Sequence, residues 1–252
     1  MSVMLIVNLI VSTLLVGSFA ILILGMAWRV WLYASTPAPL RIFTAPAPTT
    51  RAGAAFRVGR EVTLFESLFR ADKFLWLVSM LFHVGLLLVL LRHLRYFMAE
   101  PPLPVVLIQP LGQIGALMMM VGLIGLLARR LFEPRVRYVT SATDIGVLLL
   151  LLAIGASGLA MAFLFPTDIM GLKQYLAGLW RFDPQPLPDD PALIVHLLLV
   201  ATLLVVAPYS KLLHLAGVFF SPTRNQCDDA RTRRHVAAWA RPLDQSRARG
   251  SE

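Results

Sequence analysis

The sequence predicts an all-α integral membrane protein, built as a bundle of five transmembrane helices. The chain has 252 residues, of which 58% are hydrophobic and 15% are charged, and its mean hydropathy is +0.72. Soluble domains are less apolar and about a quarter charged. Five uncharged runs reach the roughly 18 residues that a spanning helix needs. They cover residues 1–28, 74–91, 101–128, 145–167 and 191–210.

We interpret the first run as a spanning helix and not as a signal peptide. It exceeds a signal-peptide core in length, lacks a basic n-region, and reaches Trp28 and Arg29 without a small-residue cleavage site. We expect Pro208 to bend the last helix, since proline removes one backbone hydrogen bond. The predicted helices are Met4–Tyr33, Phe74–Phe97, Pro104–Ala128, Asp144–Phe165 and Ala192–Phe220.

The charge distribution predicts the orientation of the chain. Basic residues concentrate in alternate connections, which is the positive-inside pattern and accounts for the net charge of +9 without nucleic acid as a partner. We therefore expect a multi-pass protein of the inner (cytoplasmic) membrane, with its N-terminus outside and its C-terminus in the cytoplasm. The inside set is Arg41, Arg51, Arg57, Arg60, Arg70, Arg129, Arg130, Arg135, Arg137, Arg224, Arg231, Arg233, Arg234, Arg241, Arg247 and Arg249; the outside set is Arg92, Arg95, Lys173 and Arg181.

The connecting segments suggest one membrane domain, residues 1–225, followed by a basic cytoplasmic tail, 226–252. Residues 35–50 form a proline-rich linker, and their composition disfavours a helix. Residues 54–72 place phenylalanines and arginines at roughly helical spacing. We expect this segment to be a cytoplasmic amphipathic helix that lies on the membrane surface or docks a partner. The connection from Pro166 to Pro191 is predicted to be an external loop.

Four histidines lie in the apolar stretches, at His83, His93, His196 and His214. An ionisable side chain inside a membrane is a candidate functional residue, because its polar atoms need partners there. On a helix, His83 and His93 are about 15 Å apart, and His196 and His214 share one face about 27 Å apart. The second and fifth helices are antiparallel, so His83 pairs with His214 near the inside and His93 with His196 near the outside.

This arrangement predicts two haems held between two helices by paired imidazoles. The axial separations differ by about 12 Å on straight helices, a difference that tilt and the bend at Pro208 must absorb. Neither helix carries an Asp or Glu to complete a zinc or di-iron site. No CxxCH motif is present, so the haems are b-type, and the single Cys227 cannot supply an iron–sulfur cluster. The alternative is that the histidines are interhelical hydrogen-bonding residues.

Three motifs resemble the family of respiratory nitrate reductase gamma subunits. ARRLFEPRVRYVTSATD at 128–144 is similar to that family's loop between the third and fourth helices, and LFHVG at 81–85 and PYSKLLH at 208–214 to its haem motifs. The resemblance covers residues 74–220. That family carries a lysine in its quinol pocket, whereas no lysine lies between Glu100 and Arg129 here.

Further segments resemble the DsrM branch of this family, the membrane cytochromes b of sulfite-reduction-associated DsrMKJOP complexes. They are REVTLFESLFRADK at 60–73, LRHLRYF at 91–97 and GVFFSPTRN at 217–225. The resemblance implies a dihaem, quinone-linked subunit of sulfur metabolism with a cytoplasmic iron–sulfur partner similar to DsrK and to heterodisulfide reductase. It also implies a periplasmic multihaem cytochrome c, a periplasmic iron–sulfur protein and a second membrane subunit, similar to DsrJ, DsrO and DsrP.

The function expected from the sequence is electron transfer between a quinone pool, of menaquinone or ubiquinone, and that cytoplasmic partner. Hydrogen-bonding candidates for the quinone lie near the outer haem, at Arg92, Tyr96, Gln109 and Gln113. Arg92 and Arg95 can equally neutralise haem propionates or reach lipid head groups. The alternative functions are a nitrate-reductase-type quinol oxidase subunit and a mainly structural membrane anchor.

Overall fold

The computed structural model describes residues 3–36, 46–229, 231–232, 235–236 and 240–243. In this part of the chain every regular element is a helix, and five helices are long and apolar enough to cross a membrane. The predicted fold class is therefore confirmed. Arg41, Arg233, Arg234, Arg247 and Arg249 of the predicted inside set, and most of the proline-rich linker, lie outside the described residues.

The five spanning helices are α1 (Val3–Ser35), α4 (Lys73–His93), α6 (Gln109–Phe132), α8 (Ala142–Phe163) and α10 (Pro191–Val206). A 3-10 turn, Leu94–Phe97, continues α4. The other helices are α2 (Arg51–Leu64), α3 (Glu66–Ala71), α5 (Leu103–Leu107), α7 (Pro134–Tyr138), α9 (Ile169–Arg181), α11 (His214–Gly217) and α12 (Pro222–Asn225).

Side-chain caps set where three of the spanning helices begin. Asp72 accepts from the Leu75 amide at the start of α4, and Asp190 accepts from the Ala192 and Leu193 amides at the start of α10. Ser141 and Asp144 form a reciprocal capping box at the start of α8. These caps satisfy amides that have no partner within the helix. The uncharged runs therefore begin as helices where short polar side chains precede them.

Helices α4 and α6 pack with their backbones in close contact. A methyl group added at Gly85 of α4 would stand 2.5 Å from both the Gly115 carbonyl oxygen and the Met119 nitrogen of α6. One added at Gly122 of α6 would stand 2.5 Å from the Phe82 nitrogen. Small residues allow this approach between membrane helices, where dispersion contacts replace the hydrophobic effect as the source of attraction. Gly85, Gly115 and Gly122 thus form a glycine seam between the two helices.

The fifth predicted helix is shorter than expected. α10 ends at Val206, and 3-10 turns at Ala207–Tyr209 and Lys211–Leu213 follow, separated by extended Ser210. Pro208 lacks an amide hydrogen and is among the most buried side chains. The Ser210 hydroxyl donates to the Ala207 carbonyl and accepts from the Leu212 amide, which satisfies the interrupted backbone. Pro208 therefore ends the helix, and straight-helix arithmetic does not apply between His196 and His214.

Two connections differ from the sequence expectations. The segment predicted as one amphipathic helix at 54–72 is divided between α2 and α3, because Phe65 adopts a left-handed conformation with φ of 50°. The predicted loop Pro166–Pro191 contains α9, whose Leu172 and Tyr175 are 7% and 0% exposed. A left-handed phenylalanine has no simple sequence signature, whereas the spacing of Leu172, Tyr175 and Leu179 is helical and gave a signal for α9.

The chain divides into two compact units, the first being Met1–Ala27 with Leu68–Leu213. Its core has two clusters of buried side chains. The Tyr175 cluster joins Val11, Leu172, Tyr175, Leu187 and Leu193, and the Phe82 cluster joins Phe82, Met119, Leu123 and Leu151. Burial raises the pKa of the Tyr175 hydroxyl, and a 2.9 Å hydrogen bond with Ser12 partly offsets the rise.

The second unit is Trp28–Ser67 with His214–Glu252. Within it, Arg224 of α12 lies 2.6 Å from the Glu61 carboxylate of α2, and the Ser67 hydroxyl donates to the same carboxylate. Burial alone would raise the pKa of Glu61, but the hydrogen bonds from Ser67 and Arg224 and the Arg224 charge outweigh it and lower that pKa. The lowered pKa means that the ionised carboxylate stabilises this unit.

The glycine seam predicts different effects on stability for two Gly→Ala substitutions, one inside the seam and one outside it. Gly85→Ala should destabilise the protein by about 1–3 kcal/mol, because backbone atoms surround the added methyl group and overpacking forces the helices apart. Gly146→Ala in α8 is the matched control, since nothing lies within 4 Å of its added carbon. It should be neutral or slightly stabilising through helix propensity. Thermal unfolding of the purified protein in detergent, followed by circular dichroism, measures both, and equal midpoints would contradict the close packing.

The Glu61 contacts predict a pH effect on the second unit. The folded-state pKa lies below the ordinary value of 4.5, so this stabilisation is present above that ordinary value and is lost as pH falls through the lowered pKa. Protection of the Ser67 amide, which donates to the Glu61 carboxylate, should decrease over that acidic range in hydrogen-exchange measurements. Glu61→Gln should show weak protection at every pH. A protection factor that is constant with pH in the unsubstituted protein would refute the assignment.

Candidate functional site

The two histidines of α4 are held in a defined tautomer by the helix itself. His83 Nδ1 lies 2.8 Å from the Ser79 carbonyl oxygen, and His93 Nδ1 lies 2.7 Å from the Val89 carbonyl oxygen. A carbonyl oxygen can only accept, so each Nδ1 must carry the proton and donate it. Nε2 of a neutral imidazole then keeps its lone pair. This is the protonation state that a metal-ligating histidine requires.

His196 of α10 is oriented by α8. Its Nδ1 lies 2.8 Å from the Ser157 hydroxyl, which also donates to the Ile154 carbonyl at 3.0 Å. Because serine has one hydroxyl proton, its oxygen accepts the proton on His196 Nδ1, and Nε2 again keeps a lone pair. A methyl group added at Gly158 would stand 3.4 Å from the imidazole Cε1. The imidazole therefore lies against a part of α8 where the neighbouring residue has no side chain.

His93 and His196 lie at the same end of the bundle. The Tyr96 ring contacts the His93 ring edge to face, with centroids 5.5 Å apart, and also packs against the Tyr175 cluster. That cluster includes Leu193, three residues before His196. The structure thus has, at one end of the bundle, the two histidines that the sequence predicts as the outer pair.

Residues close to His83 and to His214 in the sequence pack in one cluster. Phe82, directly before His83, belongs to the Phe82 cluster, and Leu212, two residues before His214, packs against it. The Phe82 and His83 rings are also in contact, with centroids 4.8 Å apart. His214 begins α11 immediately after the 3-10 turn Lys211–Leu213.

Two arginines and a glutamine lie beside His93. Arg92 donates to the Gln109 carbonyl at 2.7 Å, and Arg95 donates to the Tyr96 hydroxyl at 2.9 Å, with its guanidinium 4.8 Å from the Tyr96 ring centre. No carboxylate forms an ion pair with either arginine in the described part of the chain. Gln113 is half-buried one turn further along α6. Three of the four predicted quinone residues are therefore neighbours: Arg92, Tyr96 and Gln109.

Two buried polar atoms in this group have no hydrogen-bond partner within the described residues. They are Arg95 Nε, a donor, and Gln109 Oε1, an acceptor. An unsatisfied buried polar atom costs about 1–3 kcal/mol, and such a pair next to a candidate ligand indicates that the site binds something polar.

Sequence reasoning missed two residues of the site. Ser157 on α8 holds His196, and Tyr175 on α9 anchors the cluster against which Tyr96 packs. Ser157 lies between Ala156 and Gly158 in a segment of small residues, a pattern that indicates helix packing and carries no signal for a histidine partner. Among the described residues, no three or more His, Cys, Asp or Glu side chains gather to hold a metal ion. A haem iron bound by two imidazoles does not need such a group.

Known proteins similar to this chain include subunits of menaquinol oxidoreductases and a chain of a respiratory nitrate reductase. The chain is 32% identical to the Hdr-like menaquinol oxidoreductase cytochrome b-like subunit of Archaeoglobus fulgidus, over 87% of this chain and 80% of the relative. It is 30% identical to the subunit of the same description from Archaeoglobus profundus, over 88% and 80%. It is also 32% identical to the respiratory nitrate reductase 1 gamma chain of Escherichia coli, over 56% and 71%.

The family model described as nitrate reductase gamma subunit matches residues 60–234. This range contains all the spanning helices except α1, and it contains His83, His93, His196 and His214. The motifs that indicated the resemblance lie within it. The chain belongs to the nitrate reductase gamma subunit family.

Proposed function

We propose that this protein is a dihaem b-type cytochrome subunit that transfers electrons between a membrane quinol and an iron–sulfur partner protein. In this proposal His93 and His196 ligate one haem at the end of the bundle near α9, which we call the α9 end. His83 and His214 ligate the second haem at the other end, near Asp144 at the start of α8. The observation that supports it best is the hydrogen bonding of Nδ1 in His83, His93 and His196, which leaves Nε2 of each able to ligate iron.

Beside His93 and His196, which would ligate the haem iron, lie positively charged residues that would compensate the charge of the haem propionates. Haem carries two propionates, and Arg92 and Arg95 supply positive charge beside His93 without any carboxylate partner in the described residues. The buried Nε of Arg95 is a hydrogen-bond donor that has no acceptor among the described residues. A propionate oxygen supplies such an acceptor, and a charged hydrogen bond is among the strong ones.

Ligation by two imidazoles favours electron transfer over substrate chemistry. Two axial histidines leave no open coordination position on iron, so the bound haems would supply one-electron transfer and no oxygen activation. The protein contributes the orientation of each imidazole, an apolar environment and charge compensation. Placing one haem near each face would span a hydrocarbon core about 30 Å thick.

A quinol is the proposed electron donor at the α9 end; for electron flow in the other direction, the oxidised quinone is the acceptor. The two Archaeoglobus relatives are described as menaquinol oxidoreductase subunits. Gln109 Oε1 is a buried acceptor without a partner, and a quinol hydroxyl is a donor. Arg92, Tyr96 and Gln113 complete the proposed set of polar groups. The absence of the family's pocket lysine between Glu100 and Arg129 is consistent with a different set of hydrogen bonds around the head group.

The proposed partner on the cytoplasmic side is an iron–sulfur protein of the heterodisulfide-reductase-like type, as in DsrMKJOP complexes. The description Hdr-like of the Archaeoglobus relatives supports this class. Exposed aromatic and basic side chains suited to docking occur on α2, where Phe56 is 69% exposed, and at the end of α7, where Tyr138 is 92% exposed. In this proposal both segments face the cytoplasm and the N-terminus faces outside, and the basic residues of the two segments support this orientation through the positive-inside rule.

Substitution of the ligands tests the haem assignment directly. His83→Ala or His214→Ala should remove one of two b-haem signals in a redox titration of the purified protein, and His93→Ala or His196→Ala should remove the other. His235→Ala is the matched control, because His235 lies outside the spanning helices and pairs with Asp229 at 2.6 Å. It should keep both signals. If all four variants kept both haems, the proposal would be wrong.

Ser157→Ala tests the role of the hydrogen bond to His196. It should raise the midpoint potential of the haem at the α9 end or lower its occupancy, and leave the other haem unchanged. The accepting hydroxyl makes the imidazole more basic, and outer-shell partners of a ligating histidine typically contribute about 10–100-fold to metal affinity or activity. Ser157→Thr keeps the hydroxyl and should retain most of the affinity. A measured haem affinity of Ser157→Ala within twofold of the unsubstituted protein would exclude this role.

Reduction by a quinol distinguishes electron transfer from a structural anchor. A menaquinol analogue should reduce the haems of the purified protein, and Gln109→Leu should raise the quinol concentration for half-maximal reduction by about tenfold, the effect of losing a hydrogen bond of about 1.4 kcal/mol. Chemical reduction by dithionite should be unchanged in the variant. Haems that dithionite reduces but that no quinol reduces would support the anchor function instead.

A further inference from the structure

A groove lies between the first half of α1 and the C-terminal part of α9, and both segments belong to the first compact unit. Its volume is about 540 Å³, within the range of about 300–1,000 Å³ for ligand sites. On the α1 side its lining runs from Leu5 to Gly17, and on the other side it includes Leu179 and Phe182. A methyl group added at Gly17 would meet nothing within 4 Å. Packing among the described residues therefore leaves this α1–α9 groove unfilled.

The polar side chains that line the groove are hydrogen-bonded within the protein. The Asn8 amide donates to the Gln185 carbonyl at 3.3 Å, and the Ser12 and Tyr175 hydroxyls are 2.9 Å apart. The Thr13 hydroxyl donates to a carbonyl one turn earlier in α1, at 2.8 Å. A polar ligand would lose its hydrogen bonds to water on such a wall without gaining new ones. The remaining lining residues are apolar or glycine, so the groove favours a hydrocarbon ligand.

The dimensions of the groove fit a single hydrocarbon chain and are too narrow for a helix. From Leu5 to Gly17 the lining covers about 18 Å along α1, close to the roughly 15 Å that one leaflet contributes to the hydrocarbon core. Spread over this length, the volume of about 540 Å³ corresponds to a width of about 6 Å, whereas a helix with its side chains is about 10–12 Å wide. A chain that lies parallel to α1 within one leaflet therefore matches the groove.

The Tyr175 cluster separates the groove from the proposed quinol residues. Tyr175 is 0% exposed and bonds Ser12 in the groove wall, and Tyr96 packs against the same cluster. Arg92, Tyr96 and Gln109 do not line the groove. The isoprenoid tail of a quinol bound at those residues would have to cross this buried cluster. The groove opens toward the exposed side of α1, where the chains of bilayer phospholipids reach it directly.

The end of α9 carries groups suited to a phospholipid head group. Trp180 is 57% exposed and contacts the Phe19 ring edge to face, with centroids 5.2 Å apart. Tryptophan is enriched where a bilayer meets water. Arg181, next to Phe182 in the groove lining, is exposed and forms no ion pair with the described residues. A guanidinium can bind a phosphate through two parallel hydrogen bonds.

We propose that the α1–α9 groove binds one acyl chain of a membrane phospholipid, whose phosphate pairs with Arg181. The chain supplies the dispersion contacts that an unfilled space between packed segments lacks. It links α1 to α9 in addition to the hydrogen bonds of Asn8 and Ser12. This inference does not depend on the proposed function, because neither haem nor quinol takes part in it.

Retention of phospholipid by the purified full-length protein tests the proposal. Dioleoylphosphatidylglycerol is added in detergent, excess lipid is removed, and the bound molecules are counted and identified by native mass spectrometry. One phospholipid should remain on the unsubstituted protein. Gly17→Leu should reduce the retained fraction about tenfold, because the leucine side chain occupies space that the acyl chain needs. Equal retention by Gly17→Leu and by the unsubstituted protein would overturn the proposal.

Gly146→Leu is the matched control for the groove. It makes the same change in α8, where nothing lies within 4 Å of the added carbon and the residue does not line the groove. This variant should retain the phospholipid as the unsubstituted protein does. If it lost the lipid to the same extent as Gly17→Leu, the loss would be a general effect of leucine on a spanning helix, and the proposal would be overturned.

Arg181→Gln tests the phosphate contact and leaves the groove intact, so it remains informative if Gly17→Leu fails to fold. It should weaken retention of dioleoylphosphatidylglycerol about three- to tenfold, and it should leave retention of dioleoylglycerol, which lacks the phosphate, unchanged. Lys173→Gln is the matched control, because Lys173 is the other basic residue of α9 and donates to the Ala99 carbonyl at 3.0 Å. Lys173→Gln should change neither, and losses equal to those of Arg181→Gln would contradict the proposal.

The identity and number of the retained molecules give two further outcomes. A quinone that the unsubstituted protein retains and Gly17→Leu loses would show that the groove holds an isoprenoid tail, and the proposal would be wrong. Retention of several phospholipids in no fixed number, equal in all variants, would show surrounding lipid without a specific site and would also refute it.

Discussion

The requirement that every polar group of a membrane-embedded helix find a partner within the protein organises this structure. Imidazoles are the clearest case, because the bilayer core offers no water to either ring nitrogen. His83 and His93 use carbonyl groups one turn earlier in α4, and His196 uses the Ser157 hydroxyl. Each bond consumes the Nδ1 proton and leaves Nε2 with a lone pair. The same interaction that makes a buried histidine tolerable therefore also prepares it to ligate a metal.

The features predicted from the sequence are those that follow from hydrophobic length and local spacing. The spans around α1, α4 and α8 were located because a hydrocarbon core sets a minimum helix length. The family was recognised from short motifs such as LFHVG at 81–85, and the family model confirms it. The positions of His83 and His93 on one helix followed from the same uninterrupted run.

The features that were not predicted depend on contacts between distant segments. The end of α10 at Val206 reflects a buried proline, a serine that bonds its own turn and an ion pair between Lys211 and a carboxylate 67 residues away. The left-handed Phe65 and the bond from Ser157 to His196 likewise depend on tertiary packing. α9 is different, since its apolar spacing is visible in the sequence and was overlooked because acidic and proline residues mark the surrounding segment as a loop.

The glycine seam between α4 and α6 limits how the bundle can respond to a change of charge. Backbone atoms of the two helices touch at Gly85, Gly115 and Gly122, so α4 cannot slide or rotate past α6 there without a backbone clash. A redox centre attached to α4 would gain or lose an electron in surroundings that barely relax. The nuclear rearrangement that accompanies each transfer would then be small, which favours fast hopping at low driving force.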